Sequence, residues 1–61
     1  MTVWIVVGTT ESNYEWCMAF NDVPTKEVIE ARIMANEYLR DAWEAECLQG
    51  WTVNEVEVFE L

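Results

Sequence analysis

An α+β fold of order ββαβ is predicted by three observations: a β-branched and aromatic stretch at 2–9, an alternating stretch at 14–20, and a long helical pattern followed by a third alternating stretch. The first stretch is apolar on both parities, which suits a strand with neighbours on either side. Thr9-Thr10-Glu11-Ser12-Asn13 is a polar turn, after which Tyr14, Trp16, Met18 and Phe20 share one face of a second strand. These two strands form a hairpin, closed by Asn21-Asp22-Val23-Pro24.

Thr25 is the expected N-cap of one long helix over 26–49, since its hydroxyl can accept from an orphan amide of the first turn. On that helix Val28, Ala31, Ala35, Leu39 and Ala42 fall on one arc, flanked by Tyr38 and Trp43, and Gly50 is the expected stop. Residues 51–61 form the third strand. Its apolar parity changes between Trp51/Val53 and Val56/Val58, which a β-bulge near Asn54-Glu55 would reconcile.

Strand two runs opposite to strand one, and the helix returns the chain so that strand three is parallel to strand two. The expected architecture is a single domain over 1–61: a three-stranded antiparallel sheet of order 2-1-3 with one long helix packed on one face, crossing over right-handedly. One helix cannot cover both sides. Either Val3, Ile5 and Val7 or Trp4 and Val6 must face outward beside Cys17 and Ala19, a contiguous apolar patch of the kind that serves as a homodimer or partner surface.

Composition excludes several functions. Twelve Asp and Glu face three Lys and Arg with no histidine, a net charge of −9. Such a chain is repelled by phosphate backbones and anionic lipid, so direct nucleic-acid binding and membrane association are not expected. Its longest apolar run, Val3-Trp4-Ile5-Val6-Val7, is far short of the roughly 20 residues of a membrane span. With 52% apolar residues and four tryptophans the chain should nevertheless fold. Two cysteines and no leader-type segment point to a reduced, cytoplasmic protein, with Cys17 and Cys47 as small apolar fillers.

Enzyme chemistry is poorly supplied, and no catalytic residue is assigned. Without histidine, Ser12, Cys17 and Cys47 lack an activating base. Glu55 and Glu57 share a strand face but have no evident cleft to raise one pKa. No zinc-ligand set, EF-hand loop or glycine-rich phosphate loop is present in the sequence, so neither a metal nor a cofactor is expected.

The acids are the informative feature. On one continuous helix Glu30, Glu37, Asp41 and Glu44 fall within about 60° of arc, a stripe roughly 21 Å long with phosphate-like spacing. Glu37 and Asp41 form a like-charge i,i+4 pair, and Glu44 and Glu46 sit toward the negative end of the helix dipole. Glu55 with Glu57, or Glu11 with Glu15, would form a second acidic patch. Departures from local consistency are expected where a surface is kept for binding. Trp16 and Trp43 are expected in the core, while Trp4 and Trp51 are candidate apolar anchors within the charged rim.

In size, charge, lack of histidine, richness in Trp and Glu, and ββαβ order, the whole chain resembles the small acidic inhibitors that phages and mobile elements encode. These include anti-CRISPR proteins, DNA-mimic inhibitors of uracil-DNA glycosylase or restriction nucleases, and phage inhibitors of RNA polymerase. The resemblance implies a non-enzymatic inhibitor in the cytoplasm of a host bacterial cell. Its partner would be a basic nucleic-acid-binding host protein, foremost a CRISPR effector complex. The alternative is a small dimeric scaffold whose acids keep it soluble.

Overall fold

In the computed structural model, which describes residues 1–60, the chain runs β1 (Thr2–Thr10), β2 (Glu15–Phe20), α1 (Lys26–Ala35), α2 (Glu37–Glu44) and β3 (Leu48–Glu57). The strands form one antiparallel sheet of order β2-β1-β3, as the alternation predicts. β1 is central because both of its faces are apolar. The β1–β2 turn is tied by Thr10 N–H to Tyr14 O and Asn13 N–H to Thr10 O, both 3.0 Å. Asn13 there has a φ of 64°, a left-handed conformation that Asn tolerates better than most residues.

Register decides which face the helices cover. Trp4, Val6 and Gly8 lie opposite Phe20, Met18 and Trp16 on one side, and opposite Glu55, Val53 and Trp51 on the other. Val6, Trp16, Ile29, Ile33 and Leu39 are buried together on this side, with Met18, Phe20, Trp43, Leu48 and Trp51 packed around them. Val3, Ile5 and Val7 therefore occupy the opposite, uncovered face with Cys17 and Ala19.

Gly8 makes the core possible. The Trp16 indole lies directly against it across the β1–β2 ladder, so that a Cβ at position 8 would sit 2.6 Å from Cε2 and 2.9 Å from Nε1. Only a residue without a side chain leaves room. Trp16 meets Trp51 edge to face at 6.3 Å between centroids, and Trp51 stacks on Trp43 at 6.0 Å. The aromatic chain links β2, β3 and α2 above the glycine.

The expected single helix is two. Thr25 caps α1 as predicted, its hydroxyl accepting from Val28 N–H at 3.3 Å. Asn36 then leaves the helical conformation (φ −97°, ψ 117°), its N–H donating to Ile33 O and its Oδ1 accepting from Leu39 N–H at 3.0 Å. One residue ends α1 and caps α2. The reason lies in the apolar phase: at 100° per residue, a continuous helix presenting Ile29 and Ile33 inward would place Asn36 and Arg40 within about 20° of Ile29. Breaking at Asn36 turns that polar residue into a cap and gives α2 its own inward face, led by Leu39. The predicted alanine arc is corrected accordingly. Val28, 44% exposed, Ala31 and Ala35 face outward, while Ile29 and Ile33 carry the α1 contact.

Gly50 is not the helix stop. The chain reverses after Ala45 with Glu46 in the left-handed region (φ 58°), where Glu46 N–H bonds Trp43 O at 3.0 Å and Cys47 N–H bonds Ala42 O at 2.9 Å. This pair of bonds is the Schellman arrangement, here with glutamate in the position usually taken by glycine. β3 consequently begins at Leu48, before Gly50, and ends at Glu57. Leu61, the last residue of the predicted strand, lies outside the described residues.

The predicted bulge at Asn54-Glu55 is also corrected, because pairing with β1 is regular from Glu57 to Trp51. Trp51 and Val53 face the helices, whereas Val56 lies opposite Val3 on the uncovered face, so the parity change needs no inserted residue. The irregularity falls instead between Gly8 and Thr10, where Leu48 becomes the partner of Thr10.

Gly8→Ala should lower unfolding free energy by about 3 kcal/mol through overpacking against Trp16. Gly50→Ala, with nothing within 4 Å of the added methyl, should raise it by about 0.5 kcal/mol. Urea unfolding of the two variants checks both signs. Asn36→Ala should cost about 1 kcal/mol, the usual loss of an N-cap, and amide exchange should quicken over α2 more than over α1.

Candidate functional site

The break at Asn36 divides the predicted acidic stripe. Glu37, Asp41 and Glu44 lie on α2 at i, i+4 and i+7, one above another on a single face, and all three are exposed. Glu30 belongs to α1, is half-buried, and sits 3.8 Å from Lys26 Nζ. Because the axes of α1 and α2 are interrupted by an extended residue, the continuous stripe of roughly 21 Å expected for one helix is replaced by a shorter α2 triad.

The triad is uncompensated. Among the described residues, the ion pairs within 4 Å are Lys26–Glu30 and the Met1 amine with Glu57 Oε1, at 3.8 and 3.3 Å. The last turn of α2 contains no basic residue, although the helix dipole favours a cation there.

The acids of the two alternative second patches lie on β3 and around the β1–β2 turn. Glu55 and Glu57 share one side of β3, facing the same side as the helices opposite Trp4 and Thr2. Glu57 is engaged by Thr2 Oγ1, which donates to Oε2 at 3.1 Å, and by the Met1 amine. Glu11 lies in the β1–β2 turn, where its N–H donates to Cys47 O at 2.8 Å. Glu15 pairs with Thr9 on the uncovered sheet face.

Of the two tryptophans considered as anchors, Trp51 packs against the core between Trp16 and Trp43. Trp4 is half-buried between Phe20 and Glu55 in the sheet register. Cys17 is exposed on the uncovered face, and Cys47 is half-buried after α2, with its thiol 3.5 Å from Ala45 O.

Sequence reasoning did not find the cleft beside the triad. A cavity of about 300 Å³ lies between the β1–β2 turn and the outer side of α2, lined by Thr10, Ser12, Tyr38, Asp41, Ala42 and Cys47. Tyr38 packs on Tyr14 with 4.7 Å between ring centroids and 50° between planes, although the two are 54% and 47% exposed. In the sequence Tyr14 belongs to the apolar face of strand two and Tyr38 to the flank of the helical arc; nothing in their spacing places them together. Thr10, buried in the cleft wall, shares a 3.0 Å hydrogen bond with Ser12 and accepts from Tyr14 N–H at 3.3 Å.

The arrangement sets a face of exposed carboxylates beside a cleft lined by a tyrosine, hydroxyls and Asp41. Among the described residues, no group of three His, Cys, Asp or Glu side chains could hold a metal ion, and no helix is long and apolar enough to cross a membrane. Compared with known families, curated proteins and solved structures, the chain matches none.

Proposed function

We propose that the protein is a non-enzymatic inhibitor that binds the basic nucleic-acid channel of another protein and displaces DNA or RNA from it. The observation that carries this reading is the α2 triad: Glu37, Asp41 and Glu44 on one exposed face, without an ion-pair partner among the described residues, in a chain of net charge −9. Fixed carboxylates at regular spacing present to basic side chains what a phosphate backbone presents, and the helix holds them in place before binding. The partner we favour is a CRISPR effector complex in a host bacterial cell. Uracil-DNA glycosylase, a restriction nuclease and RNA polymerase have basic channels of the same chemical kind.

A second reading, a homodimeric scaffold, is favoured by the uncovered sheet face. Val3, Ile5 and Val7 run along its centre between Cys17, Ala19 and Val56, and Glu15 stands at its end. Two copies could meet there while keeping most of their acids apart. If this is the protein's role, sedimentation at micromolar concentration will show a dimer that Ile5→Asp returns to monomer; a monomer at all concentrations removes the reading.

The inhibitor reading is tested with a guide-loaded effector complex and labelled target DNA. Adding the protein should release the DNA in an anisotropy titration. The double change Glu37→Lys and Asp41→Lys should weaken release at least tenfold, since like charges then face one another. Association should slow steeply as salt rises. Full release by the double variant with its fold intact, or a stable ternary complex with DNA still in the channel, would overturn the proposal.

A further inference from the structure

We infer that the cleft walled by Tyr38 and Asp41 is a binding site for a guanidinium group, taking one arginine side chain of the basic partner. The inference rests on the inhibitor reading for its source of arginine; the cleft's own lining supplies the selectivity.

The volume, about 300 Å³, is at the small end of the range for small-ligand clefts. It admits one side chain and no duplex. Its lining selects the charge: Asp41 supplies a carboxylate, Ser12 and Thr10 supply hydroxyl oxygens, and no lining residue is basic. Anions are repelled, and a purely apolar group would strip water from Asp41 without replacing its hydrogen bonds. A cation is favoured again by the final turn of α2, which borders the cleft at Ala42 and contains no basic residue of its own.

Among cations, the aromatic wall selects guanidinium. A planar, weakly hydrated group with five donors in a fixed fork can lie against Tyr38 while donating to Asp41 and to hydroxyl oxygens, which a compact ammonium does less well. The walls are held before any ligand arrives. Tyr14 props Tyr38, the Thr10–Ser12 bond orients the turn, and Glu11 N–H to Cys47 O at 2.8 Å ties the turn to the segment after α2. Two exposed tyrosines packed on each other beside an unpaired carboxylate have no role in the core, since neither belongs to the buried cluster.

The test uses the full ¹⁵N-labelled chain titrated with acetyl-Gly-Arg-Gly-amide, and with the lysine and citrulline peptides at the same ionic strength. Saturable amide shifts confined to the β1–β2 turn, residues 38–42 of α2 and Cys47 are expected with arginine. Lysine should bind about threefold more weakly and citrulline should produce no saturation. Tyr38→Ala should weaken arginine binding about threefold and Tyr38→Phe should preserve it, because the ring and not the hydroxyl is used. The same spectra report that each variant is folded.

Shifts that never saturate and appear equally at Glu55 and Glu57, or binding unaffected by Tyr38→Ala, would overturn the inference. DNA release that survives alongside such a result leaves the inhibitor reading standing without the cleft. Localised, saturable binding in a chain that releases no DNA supports the cleft and defeats the inhibitor reading.

Discussion

The contact on which the structure depends is the Trp16 indole lying against Gly8. It brings the largest side chain type onto the central strand at the one point where that strand has no side chain. Trp51 and Trp43 then build outward from the indole, so an aromatic stack that begins on β2 joins helix α2 to strand β3, which is itself paired with β1. The arrangement has an energetic penalty. Trp16 Nε1 is buried with no hydrogen-bond partner among the described residues, a loss commonly worth about 1–3 kcal/mol. In a chain this short, the apolar area gained by seating a tryptophan at the centre has to exceed that loss.

Much of the sheet was legible because its signals are local. Period-two alternation, the polar turn before Tyr14 and the hydroxyl at Thr25 each act within a few residues, and they suffice for the hairpin, the first cap and the 2-1-3 order. The helical region was less legible because its outcome depends on what it packs against. Asn36 is tolerable inside an isolated helix and becomes untenable only when Ile29 and Ile33 are drawn into the core, which rotates it inward. On a single helical axis the alanines share an arc with Leu39, and the inward phase of Ile29 and Ile33 emerges only once the axis breaks at Asn36. Glu46 was hidden for a related reason: its left-handed backbone is set by the Schellman hydrogen bonds and the chain's entry into β3, not by its own preference.

The candidate surface shows the same division. That the protein is dominated by uncompensated acids is a compositional fact. That three of them share a face of α2 follows from helical spacing, which survives the break because all three lie beyond it. Glu30 falls away from the stripe since it belongs to the other axis. The cleft was out of reach: Tyr14 and Tyr38 meet only because the hairpin turn folds against α2, and no periodicity relates a turn residue to a helix residue.

The pairing of β1 with β3 also governs how the fold can be reached. Thr2 and Glu57 are hydrogen-bonded although 55 positions separate them along the chain, so the central strand acquires its second neighbour only by closing a loop that contains every other element. Contacts of that separation lose chain entropy before they return any stabilisation, which slows folding relative to a local helical bundle of equal size. On a ribosome the hairpin and both helices emerge while one edge of β1 is still bare. The sheet becomes whole only when the last strand arrives, and until then the nascent chain presents its most apolar strand with a row of unpaired backbone groups.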